Sequence, residues 1–68
     1  MKVYLVFAKD ETSGNKLLSV FDSLNKANQD AISFSLGKDS INQTINLDGT
    51  IIIECLHHTY YTTIEEVL

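Results

Sequence analysis

The chain has 68 residues, five basic and nine acidic, for a formal net charge of −4 at pH 7; every basic residue is a lysine, and no proline is present. That length is one domain, residues 1–68, and 44% hydrophobic with 21% charged residues excludes a disordered polymer. An acidic chain without arginine also lacks the cationic groups that a phosphate-tracking nucleic-acid binder needs.

Residues 2–8, Lys-Val-Tyr-Leu-Val-Phe-Ala, are β-branched and aromatic with no helical polar face, and they predict a strand. Turn formers occupy Asp10 to Asn15, and Lys16 to Phe21 resumes an apolar run, so the two runs predict an N-terminal β-hairpin. The period then changes. Leu24, Ala27, Ala31 and Phe34 recur on one stripe of a helix, behind Ser23, whose hydroxyl suits an N-cap, and ahead of Gly37, which suits a left-handed C-terminal position. The spacing predicts a helix over 24–35.

Residues 38–43 read as a polar connection. Asp48-Gly49, between Thr44-Ile45-Asn46-Leu47 and Thr50-Ile51-Ile52-Ile53, predicts a two-residue type I′ hairpin with Leu47 opposite Thr50 and Ile45 opposite Ile52. The second strand can continue through Glu54, Cys55, Leu56 and His57. The tail from Tyr60 is open to two readings. Tyr60-Tyr61-Thr62-Thr63-Ile64 has strand propensity, whereas Thr62 and Glu65 have capping-box spacing for a last helical turn carrying Ile64, Val67 and Leu68. The strand is preferred. The expected fold is α+β, a small antiparallel sheet with one helix packed on one face, in the order β-β-α-β-β with a further C-terminal strand.

Strand side chains alternate between faces. On 51–56 one face would carry Ile51, Ile53 and Cys55 and the other Ile52 and Leu56, with Glu54 between them. On 3–8 the faces would carry Val3, Leu5 and Phe7 against Tyr4, Val6 and Ala8. A single helix covers one face, and a half-solvated antiparallel sheet ordinarily alternates apolar with polar residues, which these strands do not. Either a slightly apolar sheet lies partly under the tail, or the open face meets another chain. The second is expected, as a homodimer or a partner surface, because a core this small is marginal by itself.

Chemistry-bearing residues concentrate in Glu54-Cys55-Leu56-His57-His58-Thr59-Tyr60-Tyr61. Cys55 and His57, two apart on a strand, could reach one ion, but a structural zinc takes four ligands, and one cysteine with two adjacent histidines does not supply them. Glu54, an aspartate from elsewhere or a second subunit would have to complete such a site, so no metal and no cofactor is expected. A cysteine nucleophile needs a base and an orienting group in a cleft. The sequence has no nucleophile elbow, paired-carboxylate pocket or glycine-rich phosphate loop, so no enzyme activity is expected. Cys55 is the lone cysteine, which rules out an intramolecular disulfide and suits a reducing compartment. The apolar N-terminal run breaks at Lys9-Asp10-Glu11, short of a signal h-region or of a span of about 20 residues, and a cytoplasmic protein without membrane contact is expected.

Histidines and tyrosines provide contact area with polar tips, a composition common in interface hot spots. Charge points to the same segment. Residues 1–38 hold all five lysines and four acids, net +1, while residues 39–68 hold five acids and no lysine, net −5. An acidic stretch of this kind steers association with a basic surface, although a charged edge that discourages strand pairing would look alike. Glu54, His57, His58, Tyr60, Tyr61, Glu65 and Glu66 are therefore the expected partner-binding residues.

Leu17-Leu18-Ser19-Val20-Phe21-Asp22-Ser23-Leu24-Asn25-Lys26-Ala27 resembles a phrase of small phage and bacterial ββα accessory proteins, in which a strand ends in Val-Phe and passes through Asp/Ser into a helix bearing Lys-Ala. Lys2-Val3-Tyr4-Leu5-Val6-Phe7 is similar to their first strand. Where those proteins often place glycine before Val-Phe, this chain has Ser19. The resemblance covers the N-terminal half and brings no catalytic residue. It implies a phage-type accessory protein, a group that includes inhibitors of host enzymes and of anti-phage defence such as anti-CRISPR proteins. The expected partner is then a host protein in the host cytoplasm. The alternative is a sequestering protein for a small ligand or nucleotide, with a pocket at a subunit interface formed by His57, His58, Tyr60 and Tyr61.

Overall fold

A computed structural model describes residues 1–68. In chain order the elements are β1 (Lys2–Asp10), β2 (Gly14–Phe21), α1 (Leu24–Ser35), β3 (Ser40–Ile45), β4 (Ile51–Cys55) and β5 (His58–Glu66). The strands form one sheet in the order β2-β1-β5-β4-β3, with every neighbouring pair antiparallel. The α+β class with one helix on an antiparallel sheet is as expected. The tail is a strand, and it is the central one: β5 pairs with β1 along nine residues, from Lys2 opposite Glu66 to Asp10 opposite His58.

α1 has the expected limits. The Ser23 hydroxyl accepts a hydrogen bond from the Lys26 N–H at 3.5 Å, and Gly37, at φ +77, closes the helix in the left-handed region. Ala27 and Ala31 are fully buried, and with Val6, Ile51, Ile53, Cys55 and Tyr60 they form the core. Two alanines at the contact let the helix lie close to the sheet. The side of β1 that bears Tyr4, Val6 and Ala8 is therefore the covered one. The core is thin, since Ile53 and Val6 are its only large side chains with no exposure.

Three sequence expectations fail on local geometry. The β3–β4 hairpin is not the two-residue type I′ turn: Ile45 stands opposite Ile51, not Ile52. Asn46 N–H donates to Thr50 O at 2.8 Å and Gly49 N–H to Asn46 O at 3.0 Å, while within the loop only Gly49 has positive φ, +90. That is a three-residue loop, Leu47-Asp48-Gly49, ending in a glycine bulge. Side-chain chemistry selects it. The Asp48 carboxylate accepts from both the Thr50 N–H (3.0 Å) and hydroxyl (2.6 Å), which the mirror-image turn does not require. Gly49 is further constrained by α1, because a Cβ there would meet Leu24 Cδ2 at 3.0 Å.

The second failure is at 38–43, where a strand begins at Ser40 rather than after a polar connection. It was hidden because an exposed edge strand needs no apolar alternation. The third is the β4 limit. The strand stops at Cys55 and the chain reverses through Leu56 and His57 into β5, so His57 lies in a turn. Cys55 and His57 therefore do not share a strand face.

One hydrogen-bonded knot ties helix, sheet and hairpin together. The Thr62 hydroxyl on β5 accepts from the Ile51 N–H at 2.9 Å and donates to Asn28 Oδ1 at 2.8 Å; Asn28 Nδ2 donates to Gly49 O at 2.9 Å. Thr62→Val keeps the shape but leaves the Ile51 amide and the Asn28 carbonyl without a partner, a cost of about 1–3 kcal/mol. Thermal unfolding should show a Tm lower by at least about 4 °C, given about 4–8 °C per kcal/mol at this size; an unchanged Tm would mean that water replaces both bonds.

Candidate functional site

The strand registers sort the sheet residues onto two faces, since directly opposed residues of antiparallel strands point the same way. The face away from α1 carries Val3, Leu5, Phe7 and Lys9 of β1 and Thr59, Tyr61, Thr63 and Glu65 of β5, with Ile52 and Glu54 of β4. On β2, Val20 stands opposite Leu5 and Leu17 opposite Phe7, with 55% and 50% of their surface exposed. Across the middle runs an apolar row, Leu17, Phe7, Tyr61 and Ile52. Phe7 and Tyr61 stack with ring centroids 5.3 Å apart and planes within 13°. Lys9 and Glu54 flank Thr59 at one end of this patch, and Glu65 opposes Val3 at the other. No element of the chain covers the patch.

The covered face has a separate feature. Where α1 ends, a cavity of about 350 Å³ remains between Phe34, the tip of the β1–β2 hairpin and the start of β5. Its apolar side is made by Ala8, Leu18 and the Phe34–Tyr60 pair, whose rings lie 5.9 Å apart and nearly parallel; Asp10, Lys16 and His58 stand at its polar side. Asp10 is held by its own loop: one carboxylate oxygen accepts from the Thr12 N–H at 3.3 Å and the other from the Ser13 hydroxyl at 3.2 Å. The Thr12 N–H foremost, then the Ser13 hydroxyl and the charge of His58, hold the Asp10 carboxyl below its ordinary 3.8. Burial pushes the Tyr60 phenol above its ordinary 10.0, with a smaller push from Cys55.

The expected partner-binding residues are thus divided. Tyr61, Glu54 and Glu65 lie on the open face. His58 and Tyr60 lie on the helix side, where Tyr60 is buried and takes part in the core. Glu66, also on the helix side, accepts from the N-terminal ammonium at 3.4 Å, and His57 is exposed in the β4–β5 turn. Successive residues of a strand cannot share a face, so Tyr60 and Tyr61 never act together within one chain. The cavity correspondingly includes His58 and Tyr60 but neither His57 nor Tyr61. Sequence reasoning did not name Phe7, Leu5, Ile52, Leu17 and Val20 as site residues, although apolar residues on both faces of β1 and β4, in place of apolar-polar alternation, are the signal of an apolar open face. No group of three or more His, Cys, Asp or Glu side chains is placed to hold a metal ion, and Cys55 is buried.

Two carboxylates of the turns make stability pH-dependent. Asp10, and Asp48 through the Thr50 hydroxyl and amide, both titrate below 3.8 in the fold. A lowered folded pKa contributes stability that is complete above the unfolded value and is lost as pH falls through the folded one. Asp48→Ala should lower Tm at pH 7, and the difference from wild type should shrink below about pH 4; a difference constant from pH 7 to 2.5 would remove the charge from the account. Comparison with protein-family models, with curated proteins and with solved structures returns no match for this chain.

Proposed function

We propose that the chain is a non-enzymatic interaction protein of the phage accessory type, which binds a host protein in the host cytoplasm and inhibits or modulates it. The observation that carries this reading is the uncovered sheet face, with Phe7 stacked on Tyr61 between Leu17 and Ile52. A contiguous apolar patch rimmed by polar groups is the usual form of a protein-docking surface, and aromatic side chains at its centre are the usual hot spots. Glu54 and Glu65 at the rim, in the acidic C-terminal part of the chain, favour a partner with a basic surface.

Replacing Phe7 and Tyr61 together by serine should reduce capture of the host protein at least about 30-fold, the equivalent of a hot-spot loss of about 2 kcal/mol. Gln29→Ala, on the exposed side of α1, should leave capture unchanged. Glu54→Lys with Glu65→Lys should slow association and flatten its salt dependence. Equal capture by the Phe7/Tyr61 variant and the wild type would end this reading.

The cavity beside Phe34 and Tyr60 favours a second reading, a protein that sequesters a small ligand or nucleotide within one chain. Lys16 is its free cation, and an aromatic slab forms one side. A ligand that binds only the native state raises Tm, by RT ln(1 + [L]/Kd) in free energy. Thermal scans against nucleotides and small aromatic acids should then show a rise that Tyr60→Leu removes; a flat response to all of them would retire the second reading.

A further inference from the structure

The cavity beyond α1 exists because small residues stand where the helix stops. Two rows of side chains cross the helix side of the sheet there: Lys16, Ala8 and Tyr60 in one, Gly14, Asp10 and His58 in the next. Ala8 and Gly14 are the smallest residues in those rows, and a Cβ built on Gly14 would meet nothing within 4 Å. α1 ends at Ser35, so the cover stops with Phe34, whose ring stacks on Tyr60 yet keeps 39% of its surface exposed. A bulge on β2 turns Leu18 into the cavity, since Leu17 pairs with Phe7 and Ser19 with Val6. Two unlike charges at the polar side do not meet. Asp10 and Lys16 are diagonal neighbours on β1 and β2, which places them about 7–8 Å apart. The ion pairs of the chain are Met1–Glu66 and Lys26–Asp22, and neither residue has a share in them. Asp10 is turned to its own loop, with Oδ1 accepting from the Thr12 N–H and Oδ2 from the Ser13 hydroxyl, and it stays ionised. A carboxylate has about four acceptor sites, so Oδ2 can take a further donor.

We propose that this cavity binds a free aromatic α-amino acid as its zwitterion, with the ring over Ala8 against Phe34 and Tyr60, the carboxylate on Lys16 and the ammonium on Asp10. The proposal rests on the reading of the cavity as a ligand site and names the ligand class. Size permits it: about 350 Å³ lies at the lower end of small-molecule sites, which run from about 300 to 1,000 Å³. Charge selects it. A nucleotide phosphate would find one lysine and, in the same space, the ionised Asp10, in a chain of net charge −4. A simple aromatic acid answers Lys16 and leaves Asp10 without a partner, and an aromatic amine does the reverse. An α-amino acid carries both charges on one carbon and so bridges two groups held a few ångströms too far apart to pair with each other. His58, opposite Asp10 and with its ring 6.2 Å from that of Tyr60, borders the same side and offers its ring nitrogens as further hydrogen-bond partners.

The chain contains no tryptophan, so L-tryptophan excited beyond the tyrosine band reports the ligand alone. Titration with the full chain should shift its emission to the blue and raise its anisotropy, with a Kd of about 1 mM or tighter, as its size allows. 3-Indolepropionate, which lacks the ammonium, and tryptamine, which lacks the carboxylate, should each bind at least about tenfold more weakly. Two variants separate the charges. Lys16→Met should bring L-tryptophan down to the affinity of tryptamine and leave tryptamine no weaker; Asp10→Asn should bring it down to that of 3-indolepropionate and leave 3-indolepropionate no weaker. Ala8→Leu fills the space and alters no polar group, and it should abolish binding of all three indoles with an unchanged circular dichroism spectrum. L-Tryptophan that binds no tighter than its two analogues, or equally to wild type and both charge variants, overturns the proposal; if Ala8→Leu still abolishes that binding, the ligand site stands. A Tm raised by a nucleotide and not by L-tryptophan likewise keeps the ligand site and overturns the amino acid. No response to any indole or nucleotide overturns both.

Discussion

One twelve-residue helix has to cover a sheet five strands wide, and the rest of the structure follows from that shortage. At about 1.5 Å per residue α1 spans about 18 Å. Ala27 and Ala31 let it approach β1 and β5 closely, at the cost of little side-chain volume in the core. What volume cannot supply is supplied by polar bonds. Asn28, one residue beyond Ala27, reaches over the edge of the core to the Thr62 hydroxyl and to the Gly49 carbonyl. Through Thr62 the bond extends to the Ile51 amide, at the first residue of β4. A shared hydroxyl thus sets the end of the β3–β4 hairpin against the helix, and a side chain at Gly49 would push the two apart.

The helix was fully legible because its signals are local: an apolar stripe, a serine before it and a glycine after it all lie within fifteen residues. The N-terminal hairpin was legible for the same reason. The C-terminal strand was legible as the preferred of two readings, but not as the central strand, because His58–Glu66 takes that place by pairing with β1, 48 to 64 residues away in the chain. The Asp48-Gly49 turn shows a finer failure. The dipeptide favours one turn, but Thr50 supplies two donors to the Asp48 carboxylate and Asn46 donates its amide to the Thr50 hydroxyl at 2.9 Å, and these bonds hold another. Propensity is a weak prior when specific hydrogen bonds compete with it.

The candidate site was legible in part, and the reason lies in strand geometry. The aromatic and histidine cluster is contiguous in sequence, yet the period of two sends Tyr60 into the core beside Phe34 and Tyr61 onto Phe7. The patch that emerges draws on four strands, β1, β2, β4 and β5, each contributing between one and three apolar residues on the side where a solvated sheet would place polar ones, and that departure from alternation was readable from the strands alone. The acidic bias of residues 39–68 becomes more specific in the fold: Glu54 and Glu65 belong to the rim of the open face, while Glu66 is drawn to the N-terminal ammonium.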